Sequence, residues 1–301
     1  MRVSFLVKSF VASVMVLIAA PSFAANASLT IASCPPWKHG ANDAANQKMA
    51  QMCQIDSAKI TDALSAYLPI EKKNQHALLQ ADATPANLYG KLDELRDVVS
   101  PGDTLYLFQM SHGGVLPHTY KGYPVKAEVF AYYTEKAPKD YSKAVGAGQW
   151  LSARELRDAL SQFAKDTGAN VLVIIEACHS SSAGHQLVHN PIERLEDDEK
   201  VAYIFSAGAG QTSTFTNDMS GARFTEEFVS ALGQAESGTS LADVFSTARD
   251  ATHRGALAHC NNLPAERRTA LFRSVDQYFE SCLQDASFFY PKGLLLDLKT
   301  N

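Results

Sequence analysis

Two short segments carry the residue types that nucleophilic catalysis requires. Gln109-Met110-Ser111-His112-Gly113-Gly114 follows the apolar run Thr104–Phe108, and Glu176-Ala177-Cys178-His179-Ser180 follows the apolar run Val171–Ile175. A thiol near its reference pKa of about 8.5 is mostly protonated at neutral pH, so cysteine attacks only beside a group that stabilises the thiolate. An imidazole does this, and it can afterwards protonate a departing amine. His112 and Cys178 are therefore the candidate pair. Gly113 and Gly114 let backbone approach a substrate closely, and an N–H there is able to face a developing oxyanion. A cysteine after an apolar run is also a common small core residue. The pair gains meaning only if the fold brings the two segments together.

The elements that must do so are legible. Thr104–Phe108, Val171–Ile175 and Val201–Phe205 are unbroken apolar runs rich in β-branched and aromatic residues, as in strands buried on both faces of a parallel sheet. Ser28–Ile31 and His76–Gln80 read as shorter strands, and Glu128–Tyr133 as a strand or hairpin arm. Between them, Thr84-Pro85 opens a helix with Leu88, Leu92 and Leu95 on one face. Ser152 and Glu155 form a capping box, and Ser240 with Asp243 repeats it. Phe224, Phe228 and Leu232 recur every four residues as far as Gly233, and a further helical region spans Asp43 to Leu68. Strands alternating with helices predict an α/β, three-layer αβα sandwich with a mostly parallel central sheet. Ligands of such sheets bind beyond the carboxyl ends of the strands, where both candidate segments lie. Gly113–Gly148, rich in Tyr, Lys and Gly, and His185–Lys200, with the acidic run Glu196–Glu199, read as surface loops.

The chain opens with Arg2 and Lys8, an apolar run from Phe10 to Ala20 and the small-x-small site Ser22-Phe23-Ala24, the pattern of a cleavable signal peptide over residues 1–24. No later stretch approaches the ~20 apolar residues of a spanning helix, so stable membrane insertion is not expected. Cleavage would take 24 of 301 residues, and it would lower 27 basic residues to 25 against 32 acidic ones, about −7. That balance, with no long basic run, argues against nucleic acid as a partner. The expected location is secreted or periplasmic, where cysteines pair by default. There are five: Cys34, Cys53, Cys178, Cys260 and Cys282. Pairing Cys34 with Cys53 and Cys260 with Cys282 leaves Cys178 over, although four cysteines permit three connectivities.

Several stretches resemble one clan of cysteine peptidases, the caspase–legumain type. Ala83–Gly114 (ATPANLYGKLDELRDVVSPGDTLYLFQMSHGG) is similar to the helix, Pro-Gly-Asp turn, strand and His-Gly of the caspase-like fold. Glu176-Ala177-Cys178 resembles the Glu-Ala-Cys of legumains, and Cys178-His179-Ser180 resembles metacaspases, which usually carry Asp two residues before the cysteine. Ile204–Ala207 with Gln211-Thr212-Ser213 resembles the strand and substrate-binding segment that follow in legumains, and Gly221–Leu232 resembles the next helix. The resemblance departs at Ser181, where these families usually show glycine.

The resemblance implies a cysteine endopeptidase acting on peptides or proteins through a thioester. Cys178 would be the nucleophile and His112 the general acid/base, with the N–H groups of Gly113 and Cys178 as oxyanion hole. Glu176 and Ser206 would line substrate, with Lys38, His39 and Asp218 joining by looser alignment; an ion pair at a strand end is the competing reading of Glu176. An acidic pocket wall favours Asn or a basic residue before the scissile bond over Asp. The expected division is a peptidase domain over 25–235 and a helical extension over 236–301 packed on the same domain. An inactive caspase-like binding or scaffold protein is the alternative function. Thiol–disulfide chemistry lacks a resolving cysteine near Cys178, and a serine hydrolase lacks its G-x-S-x-G elbow. His118, His185 and His189 have no metal-ligand spacing, so neither a metal nor another cofactor is expected. The oligomeric state has no signature in the sequence.

Overall fold

The computed structural model describes residues 25–34, 43–120, 123–134, 141–181, 200–271 and 282–289, together with Ser274, Tyr278 and Thr300. In chain order the elements are β1 (Ala27–Ser33), α1 (Asp43–Tyr67), β2 (Gln75–Leu79), α2 (Pro85–Leu95), β3 (Thr104–Ser111), β4 (Gly113–Tyr120), β5 (Tyr123–Ala131), α3 (Tyr141–Gly146), β6 (Trp150–Ser152), α4 (Ala153–Thr167), β7 (Asn170–Glu176), β8 (Val201–Phe205), α5 (Arg223–Gln234), α6 (Leu241–Asn261), α7 (Ala265–Leu271) and β9 (Ser287–Phe289).

The main sheet has the order β2-β1-β3-β7-β8-β9. Its first five strands are parallel, and β9 closes the edge antiparallel to β8. Alternation along β3 and β7 feeds two cores. Leu105, Leu107, Val171, Val173 and Ile175 pack with Leu88 and Leu92 of α2 and Leu156, Leu160 and Phe163 of α4. Tyr106, Phe108, Met110, Leu172 and Ile174 pack on the opposite face with Ile60 and Leu64 of α1, Phe224 and Phe228 of α5, and Phe245 of α6. Because both faces are covered, the strand sequences are continuously apolar rather than alternating. The result is the expected three-layer sandwich.

The helices begin where their caps predict. Thr84 accepts the Asn87 N–H ahead of Pro85. Ser152 Oγ accepts the Glu155 N–H at 3.2 Å while Glu155 accepts the Ser152 N–H at 2.8 Å, a closed capping box. Each such cap is worth about 1 kcal/mol. Ser240 likewise accepts the Asp243 N–H at the start of α6.

Two expectations need correction. The strand or hairpin arm expected over Glu128–Tyr133 is present in β5, but the loop reading of Gly113–Gly148 fails for the described residues before it: β4 and β5 form an antiparallel hairpin paired from Gly113↔Phe130 to Tyr120↔Tyr123, with β6 beside β5. Burial of Val129, Phe130, Ala131 and Tyr132 drives it. The C-terminal region is not purely helical either, because β9 adds a strand to the main sheet. Disulfides join Cys34 to Cys53 and Cys260 to Cys282. Among the described residues no helix is long and apolar enough to cross a membrane.

Candidate active site

β3 and β7 are neighbours, paired in parallel from Thr104↔Asn170 to Met110↔Glu176. His112 and Cys178 each follow that last pair by two residues, just beyond the end of the ladder. Both therefore leave the sheet at its carboxyl edge, side by side. Their backbones touch at Gly113, where a Cβ would stand 2.1 Å from the Cys178 carbonyl oxygen and 3.2 Å from Ala177 Cβ. Only glycine admits that approach. The Ala131 N–H donates to the His112 carbonyl at 3.0 Å, so the β4–β5 hairpin holds the histidine's backbone from its other side. Cys178 is half-buried and is the one cysteine outside a disulfide.

The chain turns sharply after the cysteine. His179 takes a left-handed conformation at φ 58°, uncommon for a residue with a side chain. The turn is stitched to the segment following β8: the His179 N–H donates to the Gln211 carbonyl at 2.7 Å, and the Ser181 N–H to the Ala207 carbonyl at 3.0 Å. Ser180 Oγ accepts the Ala207 N–H at 3.0 Å. Ser206 is fully buried, and its hydroxyl accepts the Ala177 N–H at 3.3 Å, binding the ends of β7 and β8 together.

Glu176 is only 2% exposed. Its Oε2 accepts the Thr225 N–H at 3.0 Å and the Thr225 hydroxyl at 2.8 Å, and its Oε1 accepts the Ser213 hydroxyl. Thr225 lies in the first turn of α5, whose N-cap residue Ala222 offers no side-chain acceptor. Glu176 thus caps that helix from another element, at the positive end of its dipole. Asp56 of α1 supplies a second acceptor there, taking the Ala222 N–H at 2.7 Å. Burial pushes the Glu176 carboxyl up, against the lowering effect of the Ser213 and Thr225 hydrogen bonds. Burial also pushes Asp56 up to about 7, opposed by the Ala222 N–H and reinforced by the neighbouring Glu176 and Glu226.

The other expected residues are spread around this edge. Asp218 is exposed in the turn before α5, and the hydroxyls of Thr216 and Ser220 hold its carboxyl down at about 2. Lys38 and His39 lie outside the described residues, as do His185 and His189. No group of three metal-ligating side chains occurs among the described residues.

Sequence reasoning missed the C-terminal contribution. Gln284, fully buried, accepts the Thr214 N–H at 3.0 Å and its hydroxyl at 2.6 Å, and donates to the Ser206 carbonyl at 3.0 Å. It therefore holds the segment that runs past the cysteine. Arg223 at the head of α5, also buried, donates to the Phe215 carbonyl at 2.8 Å. An arginine at the positive end of a helix is an unfavourable placement, a sequence signal that could have marked it.

Protein GSU0716 of Geobacter sulfurreducens is similar in structure, with a TM-score of 0.50 and 15% identity over 88% of this chain and 92% of that one. Caspase-1 from Spodoptera frugiperda is similar with a TM-score of 0.51 and 12% identity over 89% of this chain and 86% of that one. At these identities the likeness is one of fold. No curated protein matches the chain. Residues 42–275 match the caspase domain, a span that contains both His112 and Cys178. This chain accordingly belongs to the caspase domain family of cysteine-type peptidases.

Proposed function

We propose that the protein is an exported cysteine endopeptidase in which Cys178 is the nucleophile and His112 its acid–base partner. The observation that carries this reading is the β3–β7 register, which brings the two residues to one sheet edge in direct backbone contact through Gly113. His112 takes the thiol proton and Sγ attacks the scissile carbonyl carbon. The negative charge that develops on the carbonyl oxygen faces the N–H groups of Gly113 and Cys178. As the C–N bond breaks, His112 returns its proton to the leaving amine, and a thioester remains on Cys178. Water, deprotonated by His112, then hydrolyses the thioester, releasing the acid product and the thiol.

Glu176 acts in this reading through Ser213 and Thr225, whose hydroxyls it orients where the chain runs past the nucleophile. With Glu176 buried and engaged, the expected preference for Asn or a basic residue before the scissile bond rests on Asp218, the remaining exposed acid. Export follows from the signal-like residues 1–24 and is supported by two disulfides, which fit an oxidising compartment. Residues 236–301 serve as an extension of the peptidase domain, covering one face of the sheet through α6 and lengthening its edge through β9. The test is hydrolysis of a peptide panel varied at the residue before the scissile bond. Cleavage after Asn, Arg or Lys, abolished by Cys178→Ala, is the expected outcome. Cleavage only after Asp would refute the specificity, and turnover by the folded Cys178→Ala protein would refute the nucleophile.

A further inference from the structure

The left-handed turn at His179 needs something to hold it, because a residue with a side chain is strained in that conformation. Its N–H is held by the Gln211 carbonyl at 2.7 Å. Gln211 is completely buried, and every polar atom of its side chain is engaged. Oε1 accepts the Gly208 N–H at 2.9 Å and the Asp285 N–H at 2.7 Å, and Nε2 donates to Asp285 Oδ2 at 2.7 Å. The second carboxylate oxygen of Asp285 meets His253 Nδ1 of α6 at 2.6 Å. An unbroken line of hydrogen bonds thus runs from the surface of α6, through the segment after Cys282, to the residue next to the nucleophile. Its members are 74 and 32 residues apart along the chain, so the line exists only in the assembled fold.

We infer that Gln211 is a positioning residue for catalysis, clamped by Asp285 and His253 so that its carbonyl fixes the Cys178–His179 turn. Gln211 touches no reacting atom. It sets the direction of the Cys178 side chain and N–H by fixing the backbone immediately after them. A buried hydrogen-bonded amide suits this role because each bond has one geometry and an atom left unmet inside the protein is costly. The inference rests on Cys178 being the nucleophile.

The donor and acceptor roles at this clamp can be exchanged, which makes the test sharp. Gln211→Glu sets a second carboxylate against Asp285 and, assayed at a pH above the titration of the pair, leaves no proton between them. Adding Asp285→Asn restores one hydrogen bond with its polarity reversed, since the Asn amide donates to the Glu carboxylate. Turnover is measured per thiol titrated with iodoacetamide, with folding checked by thermal melts. Misplacement of the nucleophile by about 1 Å predicts a loss of roughly 100-fold in kcat for Gln211→Glu, with KM changed less than about threefold. The paired variant should recover to within about tenfold of wild type. Wild-type kcat in folded Gln211→Glu, or no recovery in the folded paired variant, overturns the inference. If Gln211→Glu does not fold, Asp285→Ala reads the same coupling by removing the acceptor alone: kcat should fall about tenfold at unchanged KM, and wild-type kcat overturns it. Activity that survives full alkylation of Cys178 would overturn the nucleophile and this role with it. Loss in proportion to alkylation, with unimpaired Gln211→Glu, would overturn the clamp alone.

Discussion

Gly113 and Gly114 are adjacent, yet the structure gives them opposite tolerances. Neither has a positive φ, so alanine is conformationally acceptable at both and the difference is purely steric. A Cβ at Gly114 meets nothing within 4 Å, whereas one at Gly113 would sit 2.1 Å from the Cys178 carbonyl oxygen. Relieving that clash to an ordinary contact requires the His112 and Cys178 segments to part by roughly 1 Å, a displacement able to cost about 100-fold in turnover. Gly113→Ala should therefore lower kcat by about 100-fold, equivalent to about 2.7 kcal/mol of transition-state stabilisation. Overpacking should also lower stability by about 1–3 kcal/mol. Gly114→Ala should leave both within about twofold and 0.5 kcal/mol. The assay is peptide hydrolysis per titrated thiol, beside urea denaturation of the same preparations. Equal activities for the two variants would refute the close approach on which the site is built.

Glu176→Ala should destabilise the fold by about 1–3 kcal/mol in urea denaturation, because it strips the acceptor from the first turn of α5 and leaves the buried Thr225 N–H unmet; an unchanged midpoint would contradict the capping role. Asp56 makes a pH prediction. Its folded carboxyl is pushed up to about 7 from 3.8, so between those values the folded state binds more protons and stability falls as pH rises. The slope should be reduced in Asp56→Asn, whose carbonyl can still accept the Ala222 N–H, and urea midpoints at pH 5 and 7.5 for both proteins measure it.

The parts of the site that were legible in the sequence are those set by local or periodic signals. β3 and β7 declared themselves as continuous apolar runs because both faces are covered, and parallel neighbours carry whatever follows them to the same edge. That is why His112 and Cys178 could be named together. Of the hairpin after His112 the second arm was legible over Glu128–Tyr133, whereas the first arm, β4, escaped because the turn-rich composition of Gly113–Tyr123 reads as loop. β9, at three residues, is too short to show any period. Glu176 was recognised as an acid beside the nucleophile, but its partner Thr225 is fixed by how α5 docks, which no local pattern encodes. The Gln211–Asp285 contact is of the same kind: each residue is an ordinary polar side chain until 74 residues of chain are folded between them.

The most direct test of the central claim is to catch the covalent intermediate. Protein quenched in acid during turnover of a peptide ester, digested and examined by mass spectrometry, should carry the acyl group on the peptide containing Cys178, and hydroxylamine should remove it. Acylation should be lost in Cys178→Ala and slowed at least about 100-fold in His112→Ala. An unmodified Cys178 peptide under conditions where substrate is turning over, or an acyl group on another residue, would contradict the account.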